Sequence, residues 1–412
     1  MTRTASPVAP PSQERRVALR ALWIATFASA AGTGLVYPVT AIHIATDLRL
    51  GVPAVALFYG TLAVAASACG PVGGALTARF GAPVTALAGG SCQIAGWAAM
   101  AFASSVAQVM VVAVLCGVGG SLFFPALFGT IVAGIPEERR KRTFGFRYTV
   151  LNLGIAAGAA LSGLLVVRVA PAVLFLANSA SYLPLILWVR RNGGGTREQH
   201  PENGGAGAGR PRVWSRAFGI ALVVTFLMSA FGAVQLESTV PLVLRRLAGQ
   251  SLSMVTTVTV VNAVAVVVLQ RVLRSRVDRF SDAGAVAAGA GCWTAAYALG
   301  LAAAGLGDGR PLLGKAVLVC FAVVFAAGEV VAASALTPMI VGLVAQGAAA
   351  RATGTSGSAW SLGTLAGPAM GAAAVARAGP EGSWGVLAAG GTCALLLCLM
   401  LRSHTAGRPE RN

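Results

Sequence analysis

Long apolar runs constrain this chain more than any other feature of its sequence. A helix needs about 20 mostly apolar residues to cross the hydrocarbon core of a bilayer. Twelve such runs follow one another, at residues 20–46, 53–77, 84–104, 106–134, 144–167, 170–190, 217–244, 251–272, 283–305, 313–344, 355–376 and 383–401. Charged residues make up only 11% of the 412 residues, too few to cover a soluble protein of this size. The sequence therefore predicts an all-α polytopic membrane protein with twelve transmembrane helices.

The basic residues are distributed unevenly among the predicted loops. With the N-terminus placed in the cytoplasm, most of the 31 Lys and Arg residues lie in the two tails and in the loops on the same side. This assignment puts residues 139–142 and Arg147 in the loop between spans 4 and 5. Because positively charged loops stay in the cytoplasm during insertion, both termini are expected there. The Ala-, Gly- and Arg-rich composition favours a bacterial cell membrane, and the net charge of +18 needs no nucleic-acid partner to explain it.

The twelve spans fall into two groups of six that are separated by a polar, Gly-rich stretch. We expect a disordered cytoplasmic N-tail at 1–17, an N-terminal six-helix bundle at 18–190 and a flexible cytoplasmic linker at 191–216. A second six-helix bundle follows at 217–401, with a cytoplasmic tail at 402–412.

The two groups also repeat a pattern of residues. Five residues of the fifth span recur 209 positions later, in the eleventh: Arg142, Gly145, Leu153, Gly154 and Gly158 return as Arg351, Gly354, Leu362, Gly363 and Gly367. In the same order along the chain, Arg79 returns as Arg279 and Pro125 as Pro338. Two six-helix halves related by a repeat, with a binding site between them, are a transporter architecture. We therefore expect two pseudo-symmetric bundles around a central cavity.

Several local motifs resemble those of the major facilitator superfamily, in particular its twelve-helix drug–proton antiporter branch. The segment from Gly74 through Arg79 to Gly81 resembles the family's loop between helices 2 and 3, with Ala78 where the family has Asp. Asp278-Arg279 resembles the weaker second copy of that loop. Rows of small residues resemble the antiporter motif of helix 5 and its counterpart in helix 11; they are Gly154, Gly158 and Gly163, and Gly363, Gly367, Pro368 and Gly371.

The resemblance implies that these motif residues form gating surfaces. Small residues let two helix backbones approach closely, so the glycine rows are expected to make close, sliding contacts between the halves. Ordinary tight helix packing remains the alternative. For Arg79 and Arg279, the alternative is that they serve only as topology signals.

Two carboxylates, Glu237 and Glu329, lie inside predicted spans. A charge at the bilayer centre costs about 2.5–3.5 kcal/mol on the insertion scale, so such residues are functional candidates. A carboxyl group withdrawn from water can exchange a proton near neutral pH, and a site that binds either a proton or substrate makes an antiporter. The resemblance implies that both face the central cavity. Two alternatives stay open: Glu329 stabilises the bundle through hydrogen bonds, and Glu237 pairs with Arg245 or Arg246 at the interface.

His43 in span 1 is a third candidate for proton coupling because histidine titrates near physiological pH, although a lone histidine can also be structural. Asp47, close by, is expected to pair with Arg49. Other polar and aromatic residues are candidate cavity lining, where aromatic rings could stack on an apolar or cationic substrate; plain packing is the alternative. They are Tyr37, Phe123, Phe124, Asn152, Gln235, Asn262 and Trp360.

These features predict a secondary active transporter that acts by alternating access. We expect proton-coupled efflux of a small hydrophobic or cationic compound, such as a drug or secondary metabolite, by a monomer that needs no cofactor. Proton-coupled import of a small nutrient is the alternative. An enzyme is disfavoured because His43, His200 and His404 are far apart and no hydrolase or nucleotide-binding motif is present. The seven cysteines lie in apolar runs, so neither a metal site nor a disulfide is expected. A sensor would need an output domain, for which the tails and linker leave no room.

Overall fold

The computed structural model describes residues 13–166, 168–194, 213–236, 238–247, 252–306, 310–345 and 348–406. Within these ranges all regular secondary structure is helical. Most of the expected N-terminal tail, linker and C-terminal tail lies outside the described residues.

The described helices follow the order of the apolar runs. The first half contains α1 Gln13–Ile42, α2 Gly51–Phe80, α3 Ala82–Met100, α4 Val106–Gly134, α5 Glu137–Leu165, α6 Pro171–Ser181 and α7 Leu183–Asn192. The second half contains α8 Arg216–Met228, α9 Thr239–Leu247, α10 Leu252–Val277, α11 Asp282–Gly305, α12 Pro311–Gly342 and α13 Ala349–Ala406. Two π-helical segments, His43–Asp47 and Ser229–Ala233, continue α1 and α8.

Three places depart from one helix for each expected span. Span 6 is divided into α6 and α7 at Tyr182, and Pro184 lies in the first turn of α7, where its missing N–H is tolerated. Span 7 comprises α8, its π-helical continuation and α9. Spans 11 and 12 form one long helix, α13, which is interrupted at Gly379; its φ of 70° is readily adopted by glycine alone.

Nine segments of the described chain are long and apolar enough to cross a membrane. The other three expected spans coincide with α3, α10 and the part of α13 before Gly379. The chain is therefore a multi-pass, all-α membrane protein, as the sequence predicts, and the count of twelve crossings stays a prediction.

Each half is held together by a close helix pair at equivalent places of the repeat. In the first half α5 packs along α1, and a Cβ atom on Gly158 would collide with the carbonyl oxygen of Ala31. In the second half α13 packs along α8 and its π-helical continuation, and a Cβ on Gly367 would lie 2.7 Å from the carbonyl oxygen of Ala230. Only glycine allows backbones to approach so closely.

These contacts correct one expectation from the sequence. Gly154 and Gly158 face α1, and Gly363 and Gly367 face α8 and its continuation, so both rows pack within a half. The prediction that they pack between the halves is wrong, because spacing along one helix does not reveal which neighbour its small face meets. A Cβ on Gly163 would have no neighbour within 4 Å.

The halves instead meet at one end of the bundle, which we call the basic end: the end that carries Arg79, Arg139–Arg142 and Arg279. Here α2 packs against α13, and a Cβ on Gly74 would lie 2.5 Å from the carbonyl oxygen of Ala350. On the other side α5 packs against α10 and α12. Gly145 of α5 lies against Gln270 and Ser334, and its repeat partner Gly354 lies against Gly70.

Candidate functional site

Glu329 is the buried carboxylate of the described structure. It lies in α12, is 9% exposed, and faces the contact between α12, α10 and α5 of the opposite half. Its immediate surroundings are apolar: Ala265 and Val266 of α10 and Ala326 and Val330 of α12 form one buried cluster. A carboxylate in such a place is tolerated only when it is hydrogen-bonded.

Two side chains supply those hydrogen bonds. The Tyr148 hydroxyl donates to Oε1 of Glu329 at 3.2 Å, and Asn262 Nδ2 donates to Oε2 at 2.9 Å. Tyr148 lies on α5 in the first half, and Asn262 lies on α10 in the second. We call these three residues the Glu329 cluster. The carboxylate is therefore bonded to both halves at once, next to the surface on which they meet.

The cluster combines expected and unexpected residues. The sequence pointed to Glu329 and Asn262 separately, as residues of the central cavity, and the structure joins them through a direct hydrogen bond. It missed Tyr148. A signal was available, because residues three apart share a helix face and Gly145, three residues earlier, is part of the repeat.

A second polar contact joins the halves at the basic end. Lys141, near the start of α5, forms an ion pair of 3.1 Å with Asp282 at the start of α11, and its Nζ donates a hydrogen bond to the Phe280 carbonyl. Asp282 was not among the sequence candidates. The Lys141 and Asp282 side chains are 15% and 29% exposed, so the pair is partly shielded from water.

The loop motifs lie at the same end. Gly81 has a φ of 85° and separates α2 from α3. The Arg79 side chain is exposed and lies over its neighbour's ring, 5.1 Å from the Phe80 centroid. Asp278 and Arg279 are also exposed. Ala78 is 4% exposed, so the position that carries Asp in the resembling motif is buried here.

His43 lies in the π-helical segment that follows α1. Its Nδ1 is 3.0 Å from Asp47 Oδ2, and its ring centroid is 5.2 Å from that of Phe175 in α6. Asp47 thus pairs with His43 and not with Arg49 as expected, since residues four apart meet on one face. Glu237 lies outside the described residues, as does the side chain of Tyr37.

The remaining cavity candidates divide by their contacts. Phe123 is fully buried and stacks edge-on with Tyr182, so it belongs to the packing core of the first half and not to a cavity wall. Gln235 is also fully buried, and its amide nitrogen donates to the Gly367 carbonyl at 3.1 Å.

Asn152 donates to the Tyr148 carbonyl at 2.9 Å, within α5. Phe124 and Trp360 are 40% and 37% exposed and remain candidates for contact with a substrate. Pro368 is half-buried in α13, and Gly371 lies against Thr239.

Arg147 lies inside α5 and not in the loop to which the sequence assigns it, because α5 begins earlier than the apolar run, at Glu137. Its guanidinium carbon is 4.9 Å from the centroid of the Phe128 ring in α4. Among the described residues, no group of three or more His, Cys, Asp or Glu side chains could hold a metal ion.

Comparisons with known proteins agree on one fold. The family model described as Major Facilitator Superfamily matches residues 22–325. No curated protein matches the sequence at a significant level. Among solved structures, the human organic anion transporter MFSD10 (TETRAN) is 16% identical, with a TM-score of 0.73 over 95% of this chain and 100% of that one.

A bacterial homologue of the iron transporter ferroportin, in its outward-facing state with soaked iron, is 12% identical. Its TM-score is 0.75, over 93% of this chain and 99% of that one. At these identities the likeness shows the fold alone.

Proposed function

The chain belongs to the Major Facilitator Superfamily and is a secondary transporter, and from this premise we propose that it exports a small hydrophobic organic compound in exchange for protons. A single chain performs this exchange by alternating access between its two halves. The transporter of organic anions that shares the fold supports an organic substrate. The small-residue rows of α5 and α13, which resemble the antiporter motif, support export.

The Glu329 cluster is the observation that carries the proton coupling. The ionised carboxylate accepts hydrogen bonds from both halves, through Tyr148 and Asn262. A protonated carboxyl gives up part of its acceptor capacity and becomes a donor itself, and it loses the extra strength of a charge-assisted bond. Uptake of a proton therefore weakens the bond from α12 to α5.

The position of the cluster links that weakening to alternating access. Glu329 lies beside the surface on which α5 meets α10 and α12. The proposal places the basic end in the cytoplasm, as the distribution of positive charge favours, so the contacts between the halves close the cytoplasmic side. Protonation of Glu329 then favours opening of that side, where substrate enters, and release of the proton favours closure.

The test uses purified protein in liposomes with an imposed pH gradient. Two membrane-impermeant aromatic probes, 2-naphthalenesulfonate and N,N,N-trimethyl-2-naphthylammonium, report flux without assuming the sign of the substrate's charge. We expect Glu329→Gln to lower gradient-driven flux by about tenfold or more, which corresponds to about 1.4 kcal/mol, while exchange without a gradient continues. Glu381→Gln, which removes an exposed carboxylate of α13 beyond the interruption at Gly379, is the matched control.

Two results would contradict the proposal. Unchanged gradient-driven flux in Glu329→Gln removes this residue from the proton path. Absence of gradient-driven flux of either probe in the unmodified protein removes proton-coupled transport of small aromatic compounds.

A further inference from the structure

Arg147 places a positive charge inside the first half. It is the eleventh residue of α5 and lies three residues inside the apolar run 144–167, about 5 Å from the start of that run at 1.5 Å per residue. Ionisable residues within transmembrane segments usually face the bundle interior or a cavity, where they mark a pathway for substrate or ions.

The charge of Arg147 is not neutralised within the described part of the chain. None of the carboxylates described there forms an ion pair with it, and its Nε atom is buried without a hydrogen-bond partner. The buried Glu329 carboxylate of α12 is bonded to Tyr148, the next residue of α5, and to Asn262. The contact that the structure gives the guanidinium is with the face of the Phe128 ring.

Phe128 belongs to a row of aromatic rings on α4 and α5 of the first half. Its centroid is 6.1 Å from that of Phe124 and 5.8 Å from that of Phe144. Phe128 packs against the same buried cluster as Val341 and Ala349, which come from the opposite half. Arg147 is therefore directed towards α4 and this row of aromatic rings.

We infer that Arg147, with the rings of Phe124 and Phe128, forms a subsite for an aromatic compound that carries an anionic group. A guanidinium binds an oxyanion, such as a carboxylate or a tetrahedral phosphate-like group, through two parallel hydrogen bonds and cannot be deprotonated in proteins. The aromatic rings can stack on the apolar body of the same molecule. The inference rests on the proposed function, because it names the substrate class of that transporter. It also replaces the cationic substrate expected from the sequence, which Arg147 would repel.

Binding of matched probes tests the subsite without a pH gradient. The full chain is placed in phosphatidylcholine nanodiscs, which contain no anionic lipid, and titrated calorimetrically with 2-naphthalenesulfonate, 2-naphthalenesulfonamide and N,N,N-trimethyl-2-naphthylammonium. The three share one ring system and differ in charge. We expect the sulfonate to bind about tenfold tighter than the sulfonamide, as a charge-assisted pair implies, and the cation to bind weakest.

Variants then assign that preference to Arg147. We expect Arg147→Gln to bind sulfonate and sulfonamide equally and Arg147→Lys to keep part of the preference. Arg142→Gln, an exposed arginine on the same helix, should keep all of it. Phe128→Leu should weaken binding of all three probes by a similar factor and keep the preference, which tests the subsite even if removing the arginine impairs folding.

The outcomes separate this inference from the proposed function. Equal or absent binding of the three probes by the unmodified protein, or a preference that survives in Arg147→Gln, overturns the subsite. Loss of sulfonate binding when phosphatidylglycerol is added to the nanodiscs assigns the site to a lipid headgroup and also overturns it. Gradient-driven flux in Glu329→Gln tests the proposed function, and the charge preference of the unmodified protein without a gradient tests the subsite, so each can fail without the other.

Discussion

In the first half, Gly158 of α5 lies against Ala31 of α1; in the second, Gly367 of α13 lies against Ala230 in the π-helical continuation of α8. The two glycines are 209 residues apart in the repeat. The halves therefore share the places where helix backbones touch, and each place demands the smallest residue.

Arg79 and Arg142 follow the repeat, but the charged residues proposed for substrate and proton binding do not. The position equivalent to Arg147 is Ser356, and the position equivalent to Glu329, by the offset that relates Pro125 to Pro338, is Cys116. The first half thus carries a half-buried cation and the second a buried carboxylate. The comparison indicates that the repeat supplies the scaffold, while the residues proposed for substrate and proton binding are placed on one half each.

The largest expected effect comes from breaking the shared scaffold. Gly158→Leu and Gly367→Leu should both abolish most folded protein, because even a Cβ at these positions presses on the backbone of the partner helix, and overpacking costs about 1–3 kcal/mol or more. Gly163→Leu, where a Cβ meets nothing within 4 Å, is the control on the same helix as Gly158. The measurement is the yield of monodisperse protein and its thermal unfolding midpoint. If only one of the two substitutions lowered the yield or the unfolding midpoint, the two glycine contacts would not be equivalent.

The sequence predicted this scaffold better than it predicted the site. Apolar runs predicted the helices, and the glycine repeat predicted that small residues stand at equivalent places in the two halves, because both depend on length and on side-chain size. They did not reveal which helix Gly154 or Glu329 faces. In a membrane, lipid-facing and buried surfaces are equally apolar, so hydrophobic periodicity does not distinguish the two sides of a helix.

Arg147 is another residue whose surroundings the sequence did not reveal. Counting charges assigned it to a loop because it follows residues 139–142 closely, yet α5 begins at Glu137 and runs through all of them. A basic residue can extend a transmembrane helix on its loop side or occupy its interior. The contact with Phe128 shows that Arg147 packs against the neighbouring helix α4.

A medium effect is expected at the ion pair between the halves. At the positions equivalent to Lys141 and Asp282 stand Ala350 and Ala82, so the basic end is joined by charge on the α5 side and by small residues on the α13 side. We expect Lys141→Glu to favour opening of the α5 side by about 1 kcal/mol, the upper range for a partly exposed pair. Asp282→Lys should have a similar effect.

Combining Lys141→Glu with Asp282→Lys should restore the closed arrangement. The measurement is the rate at which a thiol reagent labels a cysteine that replaces Ser334, in a protein otherwise free of cysteine. Ser334 faces Gly145 across the contact between the halves, so faster labelling reports opening. Arg142→Glu is the control of equal charge change. If the double substitution labels as fast as Lys141→Glu alone, the ion pair does not hold the halves together.

The smallest effect is expected at Tyr148, whose equivalent in the second half is Gly357. Tyr148→Phe removes the bond of 3.2 Å from the first half to Glu329 and leaves the bond of 2.9 Å from Asn262 in place. A typical intramolecular hydrogen bond contributes about 0.5–1.5 kcal/mol net, and because the Asn262 bond stays, Tyr148→Phe should cost about 0.5 kcal/mol, at the lower end of that range. Thermal unfolding of Tyr148→Phe, Glu329→Gln and the double variant forms a cycle that isolates this bond. A coupling free energy near zero would mean that Glu329 is stabilised by its own half alone. The contrast between a scaffold shared by both halves and a hydrogen bond that joins them would then fail.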